Sequence, residues 1–104
     1  MSKKRQGTEL KDFQFLPKAS SCGGQIVLSF EDEFNTELSI ITGGSAYGNE
    51  EAPYEIAVFR NGDSVRLPGI GNNDSDVQGY LTEEEVNGII MKLMAITKCM
   101  PVQV

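Results

Sequence analysis

The chain contains no histidine and no tryptophan, and it has only two cysteines. Without histidine there is no ordinary general base near neutral pH, no Ser-His-Asp or Cys-His arrangement, and little prospect of a zinc site. The sequence therefore reads as that of a protein that is not an enzyme. Cys22 and Cys99 stand in unrelated contexts. In a chain without a secretory leader such a pair reads as reduced thiols rather than a bridge. Ser21-Cys22-Gly23-Gly24 would expose backbone N–H groups beside a thiol, but with no base in reach Cys22 reads as an ordinary turn cysteine. Cys99 falls near the end of an apolar helix stripe and reads as packing.

Long apolar runs are also missing. Runs such as Ile26 to Leu28 and Ile89 to Met91 fall far short of the roughly 20 residues a membrane helix needs. Lys3, Lys4 and Arg5 are not followed by an apolar stretch, so no signal peptide is expected and a cytoplasmic location is the default.

What is present suits one small folded unit. The 104 residues are 39% hydrophobic and 23% charged, near globular averages. A chain of this size buries roughly 60 to 70% of its unfolded surface, enough to fold without metal or disulfide support. The net charge of −6 repels phosphates and disfavours nucleic-acid binding, while favouring a basic protein surface as partner. Acidic residues cluster at Glu31, Asp32 and Glu33, at Glu50 and Glu51, and at Glu83, Glu84 and Glu85.

Residues 1–9 lack periodicity and read as a flexible N-terminal arm, leaving 10–104 as a single domain. Phe13 and Phe15 alternate with polar residues in a short strand-like stretch that stops at Pro17. Ile26, Leu28 and Phe30 recur at period two, as do Leu38 and Ile40, with a polar connection between them. Tyr54, Ile56 and Val58 mark another strand, joined by Asn61-Gly62 to a run holding Val65 and Leu67. Asn-Gly between β-like runs signals a type I′ hairpin, because both residues tolerate positive φ. Pro68 to Gly79 reads as loop from its glycine, proline, asparagine and aspartate content.

The period then changes. Val86, Ile89, Ile90 and Leu93 recur at helical spacing, Thr82 with Glu85 forms a capping box, Lys92 and Lys98 lie toward the negative end, and Pro101 stops the helix. The expected fold is α+β: an antiparallel sheet of four to five strands with one C-terminal amphipathic helix packed on one face. The other face would carry Val27, Ile41, Ala57 and Phe59, needing cover from the N-terminal segment or from a second copy, so a homodimer is one expectation.

Gly43 to Gly48 has the look of a phosphate loop but lacks the Lys-Ser/Thr that would follow and runs into acids instead of a helix. Tyr47 and Tyr54, with Glu50 and Glu51 between them, are candidates for binding a protein partner, since aromatics beside adaptable polar loops carry binding energy. The sharpest local pattern is Asp74 to Glu85, which resembles the EF-hand calcium loop. Asp74, Asp76 and Gln78 match the first, third and fifth positions, Gly79 the turn, Tyr80 the carbonyl position and Glu85 the bidentate twelfth. That resemblance implies calcium at Asp74, Asp76, Gln78, Tyr80 and Glu85. Gln78 departs from the usual Asp or Asn, and Pro68-Gly69-Ile70-Gly71 supplies no entering helix. A polar loop ending in a capping box asks for much the same Gly, Thr and Glu.

Tyr54-Glu55-Ile56-Ala57-Val58-Phe59, together with Asp76 to Val86, resembles short bacteriophage accessory proteins over about the last half of the chain. The resemblance implies an inhibitor or modulator of a host protein and designates no functional residue. The leading expectation is thus a non-catalytic protein-binding module needing no cofactor, acting through acidic loops or an uncovered sheet face. A calcium-binding or calcium-stabilised domain is the alternative.

Overall fold

A computed structural model describes residues 5–18, 23–44, 48–70 and 77–104. Three strands form its centre: β2 (Gly23–Ser29), β3 (Glu37–Thr42) and β4 (Tyr54–Arg60), antiparallel throughout. Their alternating apolar residues fall opposite one another, Ile26 against Ile40 and Leu28 against Leu38 on one side of β3. On its other side Leu38 faces Val58 and Ile40 faces Ile56. Facing residues share a side of the sheet. The register thereby collects the period-two set into one surface.

Each outer edge is shared by two short strands. β1 (Leu16–Lys18) and β7 (Val102–Gln103) both pair with β2, while β5 (Asp63–Val65) and β6 (Val77–Leu81) both pair with β4. Asn61 and Gly62 form the β4–β5 turn with φ of 52° and 87°, the positive values a type I′ hairpin requires. Pro17 sits in the edge strand β1, where its missing N–H removes no ladder bond within the sheet.

The helix α1 (Glu83–Thr97) lies across one sheet face. Thr82 Oγ1 accepts from the Glu85 N–H at 3.2 Å and Glu85 Oε1 from the Thr82 N–H at 2.9 Å, completing the expected capping box. The helix ends at Lys98, whose φ of 59° is left-handed and whose N–H donates to the Met94 carbonyl. Val86, Ile90 and Leu93 are fully buried with Ile26, Leu28, Phe30, Leu38 and Ile40 in one cluster. Each such side chain contributes about 1.5–3 kcal/mol relative to exposure. Half-buried Cys99 packs against this core as a free thiol. The α+β class is thus shown, with a seven-stranded sheet among the described residues where four to five strands were expected.

Two local expectations are corrected. Phe13 and Phe15 are not in a strand: Leu10–Asp12 is a 3-10 turn, Phe13 enters the core behind it, and β1 begins only at Leu16. The stretch read as loop up to Gly79 contains most of β6, because pairing to β4 overrides its composition. The chain beyond Pro101 forms β7, a strand of two residues with no periodicity to reveal it. Residues 5–9 of the expected arm also make backbone contacts: Gln6 bridges Val102, and the Arg5 carbonyl accepts from the Gln103 N–H at 2.7 Å. Leu10 N–H then donates to Asn87 Oδ1 at 2.7 Å, docking the 3-10 turn on α1.

Candidate protein-docking face

The sheet face away from α1 is built by the alternate positions of the same strands. Pairing sets them in three rows. Leu16, Gln25, Ile41 and Glu55 form the first, and Val27, Ser39, Ala57 and Val77 the second. Ser29, Glu37, Phe59 and Ser64 form the third, with Val102 beside Ser29. Gln25 Nε2 donates to Ser39 Oγ at 2.9 Å across two of these rows. No helix or strand among the described residues packs over this face; α1 contacts the sheet from the opposite side.

An antiparallel sheet with one solvated face normally alternates apolar inside with polar outside. Here Val27, Ile41, Ala57 and Phe59 occupy outward positions on the three central strands, with Val77 beside them on β6. Ala57 and Ser39 at the centre keep only 9% and 6% of their surface, while Val27, Ile41 and Phe59 are half-buried and Leu16 at the margin is 48% exposed. From strand spacing and rise, the rows cover about 19 Å by about 14 Å. An apolar centre with a polar margin is the composition of a protein interface core.

The margin carries Glu37 and Glu55, in a chain of net charge −6. A face of this outline is smaller than the roughly 800 Å² each partner contributes to a standard interface. It can serve as the centre of a contact whose rim is polar.

The residues expected from sequence lie elsewhere. Tyr54 opens β4 on the helix side, its ring stacked on Phe15 at 5.8 Å between centroids. Burial, then the nearby Glu83 carboxylate, raises its phenol above the ordinary value. Glu50 and Glu51 are exposed in a tight turn in which Asn49 Oδ1 accepts from the N–H groups of Glu51 and Ala52 at 3.1 and 2.8 Å. An open hollow of about 270 Å³ runs beside this turn, lined by Thr42, Gly43, Gly44, Gly48, Asn49, Glu50 and Pro53. Tyr47 and Cys22 lie outside the described residues.

Asp74 and Asp76 of the calcium-like pattern also lie outside the described residues. Gln78 and Tyr80 belong to β6, and Glu85 Oε1 is engaged by the capping box. The pattern's turn position, Gly79, is not among the residues with positive φ; Tyr80 is, at 56°. Among the described residues no group of three or more acidic or cysteine side chains converges as a metal site would require. No helix among the described residues is long and apolar enough to cross a membrane. Comparison with protein-family models, curated proteins and solved structures finds no match to this chain.

Proposed function

We propose that the protein is a non-catalytic binding module whose open sheet face docks a protein partner presenting an apolar ridge edged by lysine or arginine. The single observation that supports this most is the row of apolar residues, Val27, Ala57 and Val77 with Ile41 and Phe59 beside them, at positions where a solvated sheet would carry polar side chains. The net charge of −6 and the carboxylates of Glu37 and Glu55 favour a basic rim on the partner. They also disfavour a second copy on this face, which would press like charges and carboxylates into apolar rows.

Two measurements test the reading together. Ile41→Arg and Phe59→Arg should leave the chain folded, at a cost of about 1–2 kcal/mol each because both side chains are half-buried. The same variants should abolish the stoichiometric capture of one protein from bacterial lysate, and added salt should weaken that capture. Unfolding of both variants would show the face to be covered by the chain itself, and capture indifferent to both would place the partner elsewhere.

A further inference from the structure

Asparagine followed by glycine occurs at Asn61-Gly62 and again at Asn87-Gly88. The pairing is chemically special, because a glycine without Cβ lets its backbone nitrogen reach the asparagine side-chain carbon Cγ and close a five-membered ring. The fold puts the two pairs in opposite situations. Gly88 lies inside α1, where helix geometry engages its N–H and fixes the backbone. Asn87 is half-buried, and its Oδ1 accepts from the Leu10 N–H at 2.7 Å. Ring closure there requires unwinding a helix whose Val86, Ile89 and Ile90 are core residues, and undocking the 3-10 turn.

Asn61 and Gly62 are both exposed at the tip of the β4–β5 hairpin. Arg60 pairs with Asp63 across the turn, so the Gly62 N–H stands outside the ladder. A Cβ built at Gly62 would meet nothing within 4 Å, which leaves its peptide open space to turn toward Asn61. That rotation is about the Asn61 Cα–C bond and leaves in place the Asn61 N–H bond to the Phe34 carbonyl at 2.8 Å. Asn61 Oδ1 accepts from Asn35 Nδ2 at 3.1 Å. A hydrogen bond to that oxygen draws electron density from Cγ, the atom attacked, and stabilises the negative charge that forms. β5 is a three-residue edge strand, so opening the turn is a local event at the low end of the stability scale.

We propose that Asn61 is a site of spontaneous deamidation, converted through a succinimide to aspartate and isoaspartate, and that α1 protects Asn87. Hydroxide takes the Gly62 N–H proton and the nitrogen attacks Asn61 Cγ. The Cγ–Nδ2 bond then breaks, and ammonia leaves with a proton drawn from water. Water opens the ring. Cleavage between the Gly62 nitrogen and Cγ gives aspartate, whereas cleavage between that nitrogen and the Asn61 backbone carbonyl carbon gives isoaspartate, whose main chain runs through Cβ and Cγ. Water is consumed and ammonia released, with no redox step. Isoaspartate lengthens the backbone of a turn set for a type I′ hairpin, so β5 loses its register on β4. Ser64, in the third row of the open face, is carried by β5 and shifts with it.

Holding the full folded chain in mildly alkaline buffer made with heavy-oxygen water, then digesting it in ordinary water and mapping it by mass spectrometry, tests this. The heavy oxygen should enter the carboxylate at residue 61 at least roughly ten times faster than at residue 87, because the turn opens more readily than α1. In urea the two positions should react at similar rates. No label at residue 61, or equal labelling of 61 and 87 in the folded chain, would overturn the assignment. The isoaspartyl form should also show faster amide exchange at Val65, which the two-residue turn pairs with Val58. Asn61→Asp, which carries the charge without the longer backbone, should keep the parent's protection. Exchange at Val65 unchanged in the isoaspartyl form would overturn the loss of register.

Discussion

The Phe15 ring lies parallel to the Tyr54 ring, with an interplanar angle of 5°, and covers Gly24. A Cβ at Gly24 would come within 3.1 Å of Phe15 Cβ, so the glycine is what lets the aromatic lie down on the sheet. Thr42 separates Gly24 from Tyr54 in the same row, and the ring pair closes the end of the core where the helix begins. Phe15→Ala should cost about 2 kcal/mol in urea melts, less than a fully buried phenylalanine because Phe15 is half-buried.

The same pair makes Tyr54 a reporter. Burial, then Glu83, holds its phenol protonated above the ordinary value of 10.0. A folded-state pKa above the unfolded one contributes stability that is complete below pH 10 and is lost as pH rises through the raised value. Spectrophotometric titration should show Tyr54 ionising above the ordinary phenol value. Phe15→Ala should bring it down by admitting water, and Glu83→Gln should bring it down by less.

At the other end of the sheet, Asp32 accepts from both the N–H and the hydroxyl of Thr36 at 2.7 Å, and Arg60 Nε donates to the same hydroxyl at 3.2 Å. Thr36 has no exposed surface. Burial opposes ionisation of Asp32, but the Thr36 hydrogen bonds and Arg60 outweigh it, and the carboxyl is held below its ordinary value of 3.8. Asp32→Ala would strand a buried N–H and hydroxyl, at a cost of about 1–3 kcal/mol at neutral pH. Because the folded pKa is depressed, the carboxylate's contribution is present above about pH 4 and lost as pH falls through the lowered value. Denaturant melts of parent and variant should therefore converge in acid. A gap that persists unchanged at pH 2 would show that Asp32 acts through shape alone.

The elements visible in the sequence were those whose residues repeat. Ile26, Leu28, Leu38, Ile40, Ile56 and Val58 carry period two, and Val86, Ile89, Ile90 and Leu93 carry the helical period, so the central strands and α1 are legible without coordinates. β6 was hidden because Val77-Gln78-Gly79-Tyr80-Leu81 holds a glycine and a register slip, and only its pairing to β4 makes it a strand. β7 is too short to repeat anything. The docking face was half legible: Val27, Ile41, Ala57 and Phe59 follow from alternation, but Leu16 and Val77 join them only through long-range pairing. Tyr54 was legible as the start of a strand, but its place in the core was not, because its stacking partner Phe15 is far away along the chain.

Register also explains a local strain at Tyr80. Between Tyr54 and Ile56 on β4 there is one intervening residue, whereas between Leu81 and Gln78 on β6 there are two, so β6 bulges at Gly79 and Tyr80. The left-handed backbone at the bulge falls on Tyr80, with φ of 56°, and its side chain is 58% exposed. A non-glycine residue there costs roughly 1 kcal/mol or more, and little packing on the ring offsets it. Tyr80→Gly should therefore leave stability unchanged or raise it by up to about 1 kcal/mol, despite glycine's greater freedom in the unfolded chain. Thermal melts of parent and variant in matched buffer decide the point. A loss beyond about 1 kcal/mol would mean that the ring holds β6 against its neighbours, and the bulge would then be set by that contact rather than by the register of β4.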